Sequence, residues 1–176
     1  MSNAMCHGPQ TRAAAAALIL VSAPVWAEDT VASFTLASGH KVSIIEAPFT
    51  ESGLTYSESA PCLVDGQIPF GTDCSAPTTY VKSISVEIQG KKLQLDASHM
   101  FDAWGTRHLA KHEGKPVTYF VGACPSKERC YFRGLFSDGA GTFVVEWKVF
   151  QGATTRTVIS DDEELISIFM ESMGTK

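Results

Sequence analysis

From residue 33 onward, the chain is dominated by short segments in which apolar and polar side chains alternate. The segment SFTLASGHKVSII, residues 33–45, alternates around Ser38-Gly39, and this pattern predicts a hairpin. YVKSISVEIQGKKLQLD, residues 80–96, predicts a second hairpin that turns at Gly90. Successive side chains of a strand point to opposite faces of a sheet, so each segment would place one apolar face against a core.

The second half of the chain continues this alternation. In TFVVEWKVFQG the apolar side chains that share one strand face are Phe143, Val145, Trp147 and Val149, and they are interpreted as core. Other strands are predicted in PVTYFVGAC (116–124), CYFRGLFSD (130–138) and TTRTVIS (154–160). Short connections between consecutive strands are typical of antiparallel pairing.

After Ser160 the spacing of the apolar residues changes from that of a strand to that of a helix. Ser160 followed by Glu163 predicts a capping box with Ser160 as the N-cap, and four acids at 161–164 would lie at the positive end of the helix. An apolar stripe at helical spacing then follows: Leu165, Ile166, Phe169 and Met173. We therefore expect an α+β fold, a mostly antiparallel β-sheet of about six to eight strands with a C-terminal helix packed on one face.

Two segments interrupt the strand pattern. Residues 47–79 are rich in Pro, Gly, Ser and Thr, which indicates either a functional loop or an arm held by a disulfide. Residues 97–115 show no strand period and are interpreted as a turn or short helix that passes over the sheet.

The N-terminal residues have the pattern of a targeting segment. MSNAM is interpreted as an expression scar ahead of Met5, and Arg12 precedes an apolar run over residues 13–21. A small-residue end at Ala27 predicts cleavage there, which gives a signal at residues 1–27 and a single secreted β-rich domain at residues 28–176. The alternative is a buried Ala-rich helix of the domain, but the run lacks the polar face of a surface helix. We expect the protein to be periplasmic.

Four cysteines remain after the predicted signal: Cys62, Cys74, Cys124 and Cys130. An even number of cysteines in an oxidising compartment indicates disulfides, and three pairings are possible. Their grouping into two local pairs favours Cys62–Cys74 and Cys124–Cys130. Neither pair has the C-x2-4-C spacing of a zinc site, and full pairing would leave no cysteine as a nucleophile.

Charge and hydropathy narrow the choice of partner. The formal net charge is −5, and this mild acidity argues against nucleic acid as a partner. We expect no membrane anchor, because no segment after residue 27 has the length and apolar character of a membrane span. The sequence indicates no particular oligomeric state.

Motifs of known enzymes are scarce. The chain has no G-x-S-x-G, P-loop or H-E-x-x-H motif. The best metal candidate is HLAKH, in which His108 and His112 would share a helix face, with possible additions from His99, Asp96 and Asp102. Spacing alone does not make a site, so we interpret the histidines as exposed polar residues and expect no metal, no cofactor and no enzymatic activity.

The segment CPSKERC, residues 124–130, would be a strand connection closed by a disulfide. Its charged residues have two readings: they aid solubility, or the disulfide holds Ser126, Lys127, Glu128 and Arg129 ready to contact a partner. Trp104, in FDAWG, lies outside any periodic strand and is either a buried plug or an exposed contact.

Two stretches of the chain carry a resemblance. CYFRGLFSDGAGTFVVEWKVFQGATTRTVIS, and the region from DGQIPFGTDC to LDASHMFDAWG, resemble small periplasmic proteins of Gram-negative bacteria, some of which are immunity proteins to type VI secretion effectors. This resemblance implies a protein partner, a secreted hydrolase effector that attacks peptidoglycan or lipid, whose active site the chain would occlude. The periplasmic inhibitor of vertebrate lysozyme, which also has a short polar loop closed by a disulfide, is a looser analogy for the mode of action.

Three classes of function follow. The first is a periplasmic protein that inhibits a cell-envelope hydrolase, as an immunity or inhibitor protein. The second is an envelope protein with a structural or small-ligand role, which a large apolar cavity would favour. The third is an enzyme with an unrecognised site, which two convergent acids or histidines in a pocket would favour.

Overall fold

The computed structural model describes residues 28–59, 61–103, 111–112, 115–116, 119–137 and 139–174. Short 3₁₀ turns lie at Phe49–Glu51 and Gly139–Gly141. The strands and the helix of the described residues are, in chain order, β1 (Thr30–Thr35), β2 (Lys41–Pro48), β3 (Tyr56–Ser57), β4 (Leu63–Val64), β5 (Thr79–Ile88), β6 (Lys91–Leu95), β7 (Lys111–His112), β8 (Lys115–Pro116), β9 (Phe120–Ser126), β10 (Arg129–Phe136), β11 (Phe143–Phe150), β12 (Ala153–Ser160) and α1 (Glu163–Ser172).

Strands β1, β2, β5 and β6 form the first sheet, in the order β1-β2-β5-β6. All neighbours are antiparallel, and Val42 of β2 lies between Phe34 of β1 and Val86 of β5 in the register. β1–β2 and β5–β6 are the two hairpins that the alternating segments predict, and both are confirmed. Lys41 to Ile44 alternate between exposed and buried positions, which places one face of β2 toward the core.

Strands β9 to β12 form the second sheet as consecutive antiparallel neighbours, in the order β12-β11-β10-β9. In the inner strand β11, Trp147 pairs with Phe132 of β10 and with Arg156 of β12. The residues predicted to share one core face of β11 are buried, and Phe143, Val145 and Trp147 are fully so.

The core lies between the two sheets. One buried cluster combines Ile84 and Val86 of the first sheet with Phe132, Val145 and Trp147 of the second. The predicted class, mostly antiparallel sheet with one C-terminal helix and two disulfides, is confirmed. Eight of the described strands form two four-stranded sheets. Alternation does not predict this division, because it marks the apolar face of a strand and not the element that covers that face.

Helix α1 packs on the outer face of the second sheet. Phe169 and Met173 of the predicted apolar stripe are buried against Leu135 and Val144. Leu165, also in that stripe, remains 37% exposed. The chain thus has three layers: the first sheet, the second sheet and the helix.

The N-cap of α1 is Asp162, so the predicted cap at Ser160 is wrong. The Asp162 carboxylate accepts hydrogen bonds from the backbone N–H groups of Glu164 and Leu165, each at 3.0 Å. The Ser160 hydroxyl instead accepts from the Asp162 N–H at 3.1 Å. Aspartate caps helices as well as serine does, and it also places a negative charge at the positive end of the helix dipole.

The segment between β2 and β5 is an arm closed by the Cys62–Cys74 disulfide, which confirms that pairing. The arm contains the short β3–β4 hairpin, and the Tyr56 hydroxyl donates to the Cys74 carbonyl oxygen at 2.7 Å. Phe70 pairs in a parallel bridge with Met100, which attaches the arm to the segment that follows β6.

The chain passes from the first sheet to the second between residues 96 and 119. Met100, Phe101 and Ala103 of this connection are buried, so its described beginning contributes to the core. Its later described residues form the two-residue strands β7 and β8, which pair with each other. Residues 104–110 lie outside the described residues, as do residues 1–27 of the predicted signal. Among the described helices, none has the length and apolar character needed to cross a membrane.

Candidate functional site

The hairpin of β9 and β10 is closed near its end by the Cys124–Cys130 disulfide, which confirms the second predicted pairing. The Cα atoms of the two cysteines are 4.0 Å apart. Ser126 still pairs with Arg129 across the hairpin, so the strands continue beyond the disulfide and the turn consists of Lys127 and Glu128. Five residues separate the two cysteines in the sequence, but the connection between the strands is only a two-residue turn.

The β9–β10, β11–β12 and β5–β6 turns contact one another at the same end of the two packed sheets. The backbone N–H of Gln151, in the β11–β12 turn, donates to the Glu128 carbonyl oxygen at 2.8 Å. Gln89, in the β5–β6 turn, donates its side-chain amide to the Lys127 carbonyl oxygen at 3.4 Å. Both residues of the Lys127–Glu128 turn thus have their backbone carbonyls held by a neighbouring turn. This support orders the turn before any partner arrives.

The four predicted contact residues of the hairpin project to solvent. Ser126, Lys127, Glu128 and Arg129 are exposed, and together with Phe150 they form what is called the tip surface. The Arg129 guanidinium carbon lies 5.5 Å from the centroid of the Phe150 ring, a cation–π distance. Phe150 is itself 49% exposed. Aromatic residues and arginine are both enriched at protein–protein interfaces.

A cleft of about 200 Å³ lies behind the turn. Its apolar lining comes from both sheets, including Ile88 and Leu93 of the first and Cys130 and Val149 of the second. Lys127 and Glu128 lie at its rim, with Gln89, Lys91 and Gln151 also lining it. The tip surface carries two basic residues and one acid, on a chain whose net charge is −5. Its basic character suits contact with carboxylates.

Two of the acids considered as metal ligands have other hydrogen-bonding roles. The Asp102 carboxylate accepts from the backbone N–H groups of Thr78 and Thr79, at 3.0 and 2.8 Å. The Asp96 carboxylate accepts from the backbone and hydroxyl of Ser98, at 2.9 and 2.7 Å. Desolvation raises the pKa of Asp96, but the Ser98 hydrogen bonds and the nearby charge of Arg156 outweigh it, so the net pKa is lowered. Both acids stabilise local backbone structure.

The structure describes only part of the other residues that were weighed as metal ligands and set aside. His99 lies between Asp96 and Asp102 and has positive φ, +58°. His108 and Trp104 lie outside the described residues, and of His112 the structure describes only the backbone. Within the residues that the structure describes, no group of three or more His, Cys, Asp or Glu side chains could hold a metal ion.

A groove on the outer face of the first sheet is a feature that the sequence patterns did not single out. It has a volume of about 350 Å³. Ser33, Ser43 and Ser85 are aligned across three strands along its floor, and Ser85 is only 4% exposed. Lys41, Glu87 and Lys92 are aligned in the next row. Each of the three strands has a serine near its centre, and this is the only sign of the groove in the sequence. The serines can be placed side by side only when the register of the strands is known.

Comparisons with known proteins assign no family to this chain: no family model, curated protein or solved structure matches it.

Proposed function

We propose that this chain is a periplasmic binding protein that inhibits a cell-envelope hydrolase, acting as an immunity or inhibitor protein that places the tip surface in or over the active-site cleft of the enzyme. The observation that carries the proposal is the ordering of the Lys127–Glu128 turn by the Cys124–Cys130 disulfide and by the hydrogen bond from Gln151 to Glu128. A turn that is already ordered loses little conformational entropy on binding, so more of its contact energy appears as affinity.

The chemistry of the tip surface supports a hydrolase with acidic groups in its cleft. Arg129 can make two parallel hydrogen bonds to one carboxylate, and Lys127 adds a compact positive charge. Glu128 could accept from a basic residue or a catalytic histidine of the enzyme. The predicted signal segment and the two disulfides suit an oxidising compartment such as the periplasm.

The test uses, as the candidate enzyme, the product of the gene next to the one that encodes this chain, because immunity genes lie next to the genes of their toxins. The Lys127→Ala, Glu128→Ala, Arg129→Ala triple variant should keep its melting temperature and lose at least tenfold in affinity, which corresponds to about 1.4 kcal/mol. A matched control is the Lys41→Ala, Glu87→Ala, Lys92→Ala variant, which removes the same net charge from the outer face of the first sheet. Isothermal titration calorimetry and residual hydrolase activity give the two readouts.

The control variant should bind and inhibit as well as the parent protein. Unchanged affinity of the tip variant would contradict the proposal, because it would leave the disulfide as a stabiliser of the hairpin and nothing more. Loss of affinity in the control variant alone would indicate that the partner binds at the groove on the first sheet and not at the tip surface.

A second candidate is a small-ligand role without catalysis, favoured by the groove on the first sheet. Its floor includes Ser85, a residue that is 4% exposed, and its lining also includes Lys41 and Lys92. Hydroxyl groups beside two lysines suit a polyhydroxylated ligand that carries a carboxylate, such as a soluble peptidoglycan fragment. Equilibrium dialysis with such fragments tests this role, and equal retention by the parent and by the Lys41→Ala, Lys92→Ala variant would contradict it.

A further inference from the structure

The β1–β2 turn places a histidine against the disulfide of the tip. His40 Nε2 lies 3.2 Å from Cys124 Sγ, and His40 Nδ1 lies 2.8 Å from the Ser38 hydroxyl oxygen. The imidazole also packs edge-on against Phe132, with ring centroids 5.9 Å apart. The ring is therefore held on both nitrogens and on one edge, in an orientation that directs Nε2 at the sulfur.

The chemistry of the disulfide fixes the direction of these hydrogen bonds. A disulfide sulfur carries no hydrogen and can only accept, so the Nε2–H of His40 is the donor to Cys124. Nδ1 of the neutral imidazole is then the acceptor, and the Ser38 hydroxyl donates to it. The turn thus selects the tautomer that presents an N–H group to Cys124.

We propose that Cys124 is the nucleophilic cysteine of this disulfide and that His40 activates it whenever the Cys124–Cys130 bond is open. In the reduced protein the Cys124 thiol loses its proton to solvent, and the thiolate that forms accepts a hydrogen bond from the Nε2–H of His40. A thiolate beside a histidine is the form of cysteine that reacts with disulfides and alkylating agents. The proposal does not depend on the inhibitor function.

The solvent exposure of the two cysteines also favours Cys124 as the more reactive one. Cys130 is 4% exposed, whereas Cys124 is half-buried and can be reached from solvent. An external thiol or disulfide therefore meets Cys124 first. Thiol–disulfide exchange requires an accessible thiolate, and of these two cysteines Cys124 is the more accessible and the one that contacts a histidine.

With glutathione disulfide as the oxidant, the proposed closure has two steps. The Cys124 thiolate attacks one sulfur of glutathione disulfide, which forms a mixed disulfide and releases one glutathione thiolate. Cys130 then loses its proton to solvent and attacks Cys124 Sγ, which forms the Cys124–Cys130 bond and expels the second glutathione thiolate. Two electrons pass from the protein dithiol to glutathione disulfide, and both released thiolates take up protons from water.

The test measures the reactivity of each cysteine alone. In a Cys6→Ser background, the Cys130→Ser variant leaves Cys124 as a single thiol, and the Cys124→Ser variant leaves Cys130, while Cys62–Cys74 stays oxidised in both. Each protein is alkylated with iodoacetamide at pH 6.5, folded and in urea, and the rates are read by mass spectrometry. Folded Cys124 should react at least tenfold faster than the same cysteine in urea, although folding covers part of it.

His40→Ala should remove that acceleration, and folded Cys130 should react more slowly than unfolded Cys130. A folded Cys124 that reacts no faster than in urea, or that keeps its rate in the His40→Ala variant, would overturn the proposal. Should the single-cysteine variants fail to fold, the reduced Cys6→Ser protein gives the second measurement: its closure by glutathione disulfide should slow at least tenfold in His40→Ala, and an unchanged rate would equally overturn it.

Discussion

Arg133 Nε donates a hydrogen bond of 2.7 Å to Glu146 Oε2, between directly paired residues on β10 and β11. The same guanidinium donates to the Ser172 hydroxyl of α1 at 3.3 Å and lies 5.3 Å from the centroid of the Phe169 ring. The second Glu146 oxygen accepts from Thr157 of β12 at 2.9 Å. This pair therefore connects three strands of the second sheet to the helix that covers it.

Arg133→Ala should lower the free energy of unfolding by about 2 kcal/mol, because it leaves the Glu146 carboxylate covered without its main charged donor. The Glu146 side chain is 9% exposed and the Arg133 side chain is 33% exposed, so solvent screens the pair only in part. Lys41→Ala is the matched control, because Lys41 lies 3.6 Å from Glu87 with both side chains well exposed. We expect the control to cost less than about 0.5 kcal/mol in urea unfolding. Equal losses in the two variants would contradict a specific contribution from Arg133.

The Glu146 carboxylate should also make the free energy of unfolding depend on pH. Burial raises the pKa of Glu146, but hydrogen bonds from Arg133 and Thr157 and the charge of Lys148 outweigh it, so the pKa in the folded protein lies below its ordinary 4.5. The unfolded chain then binds more protons near that pH, so the stabilisation is present above pH 4.5 and is lost as pH falls toward the folded pKa.

The measurement is the free energy of unfolding of the parent and of Glu146→Gln at a series of pH values. The difference between the two should be largest near neutral pH and should shrink below pH 4.5. A difference that stays constant across this range would show that the Glu146 charge contributes nothing to stability.

Replacing Asp162, the observed N-cap of α1, and replacing Ser160, the cap predicted from the sequence, should lower stability by different amounts. Asp162→Ala removes the acceptor for two helix N–H groups and should cost about 1 kcal/mol. Ser160→Ala removes only the acceptor for the Asp162 N–H, outside the first turn, and should cost clearly less. Thermal unfolding followed by circular dichroism gives both values. A larger loss for Ser160→Ala would restore the capping box that the sequence predicts.

The sequence predicts most of the strands because their alternation is a local property. Val42, Ile44 and Trp147 each lie on the buried side that the pattern indicates. Local spacing also predicts both disulfides, since each pair closes a short segment of chain. The cap was missed because Ser160 and Asp162 are both good N-cap residues, and the choice depends on the backbone where β12 ends.

The candidate site is less predictable because it depends on contacts between distant parts of the chain. Lys127 and Arg129 are identified from the segment CPSKERC, but Gln89, Gln151 and Phe150, which support them, lie on other hairpins or at their ends. His40 is 84 residues from Cys124 in the chain, and no sequence spacing indicates that contact. Such contacts follow only from the register and packing of both sheets.

Gly71 should be among the least replaceable glycines of the chain. It has φ +107°, and a Cβ there would collide with the backbone carbonyl oxygen of Phe101 and lie 3.2 Å from the Phe143 ring. Gly66, in the same disulfide-closed arm, has φ +76° and no atom within 4 Å of such a Cβ. The two glycines share the positive φ and differ in the space around them.

Gly66→Ala should therefore cost about 1–2 kcal/mol, from the backbone conformation alone. Gly71→Ala should cost more than about 3 kcal/mol, because the Phe101 carbonyl is backbone and can move away only if the arm separates from the segment that follows β6. Urea unfolding of both variants measures the difference. Equal losses would mean that the arm is packed more loosely against Phe101 and Phe143 than the contacts of Gly71 require.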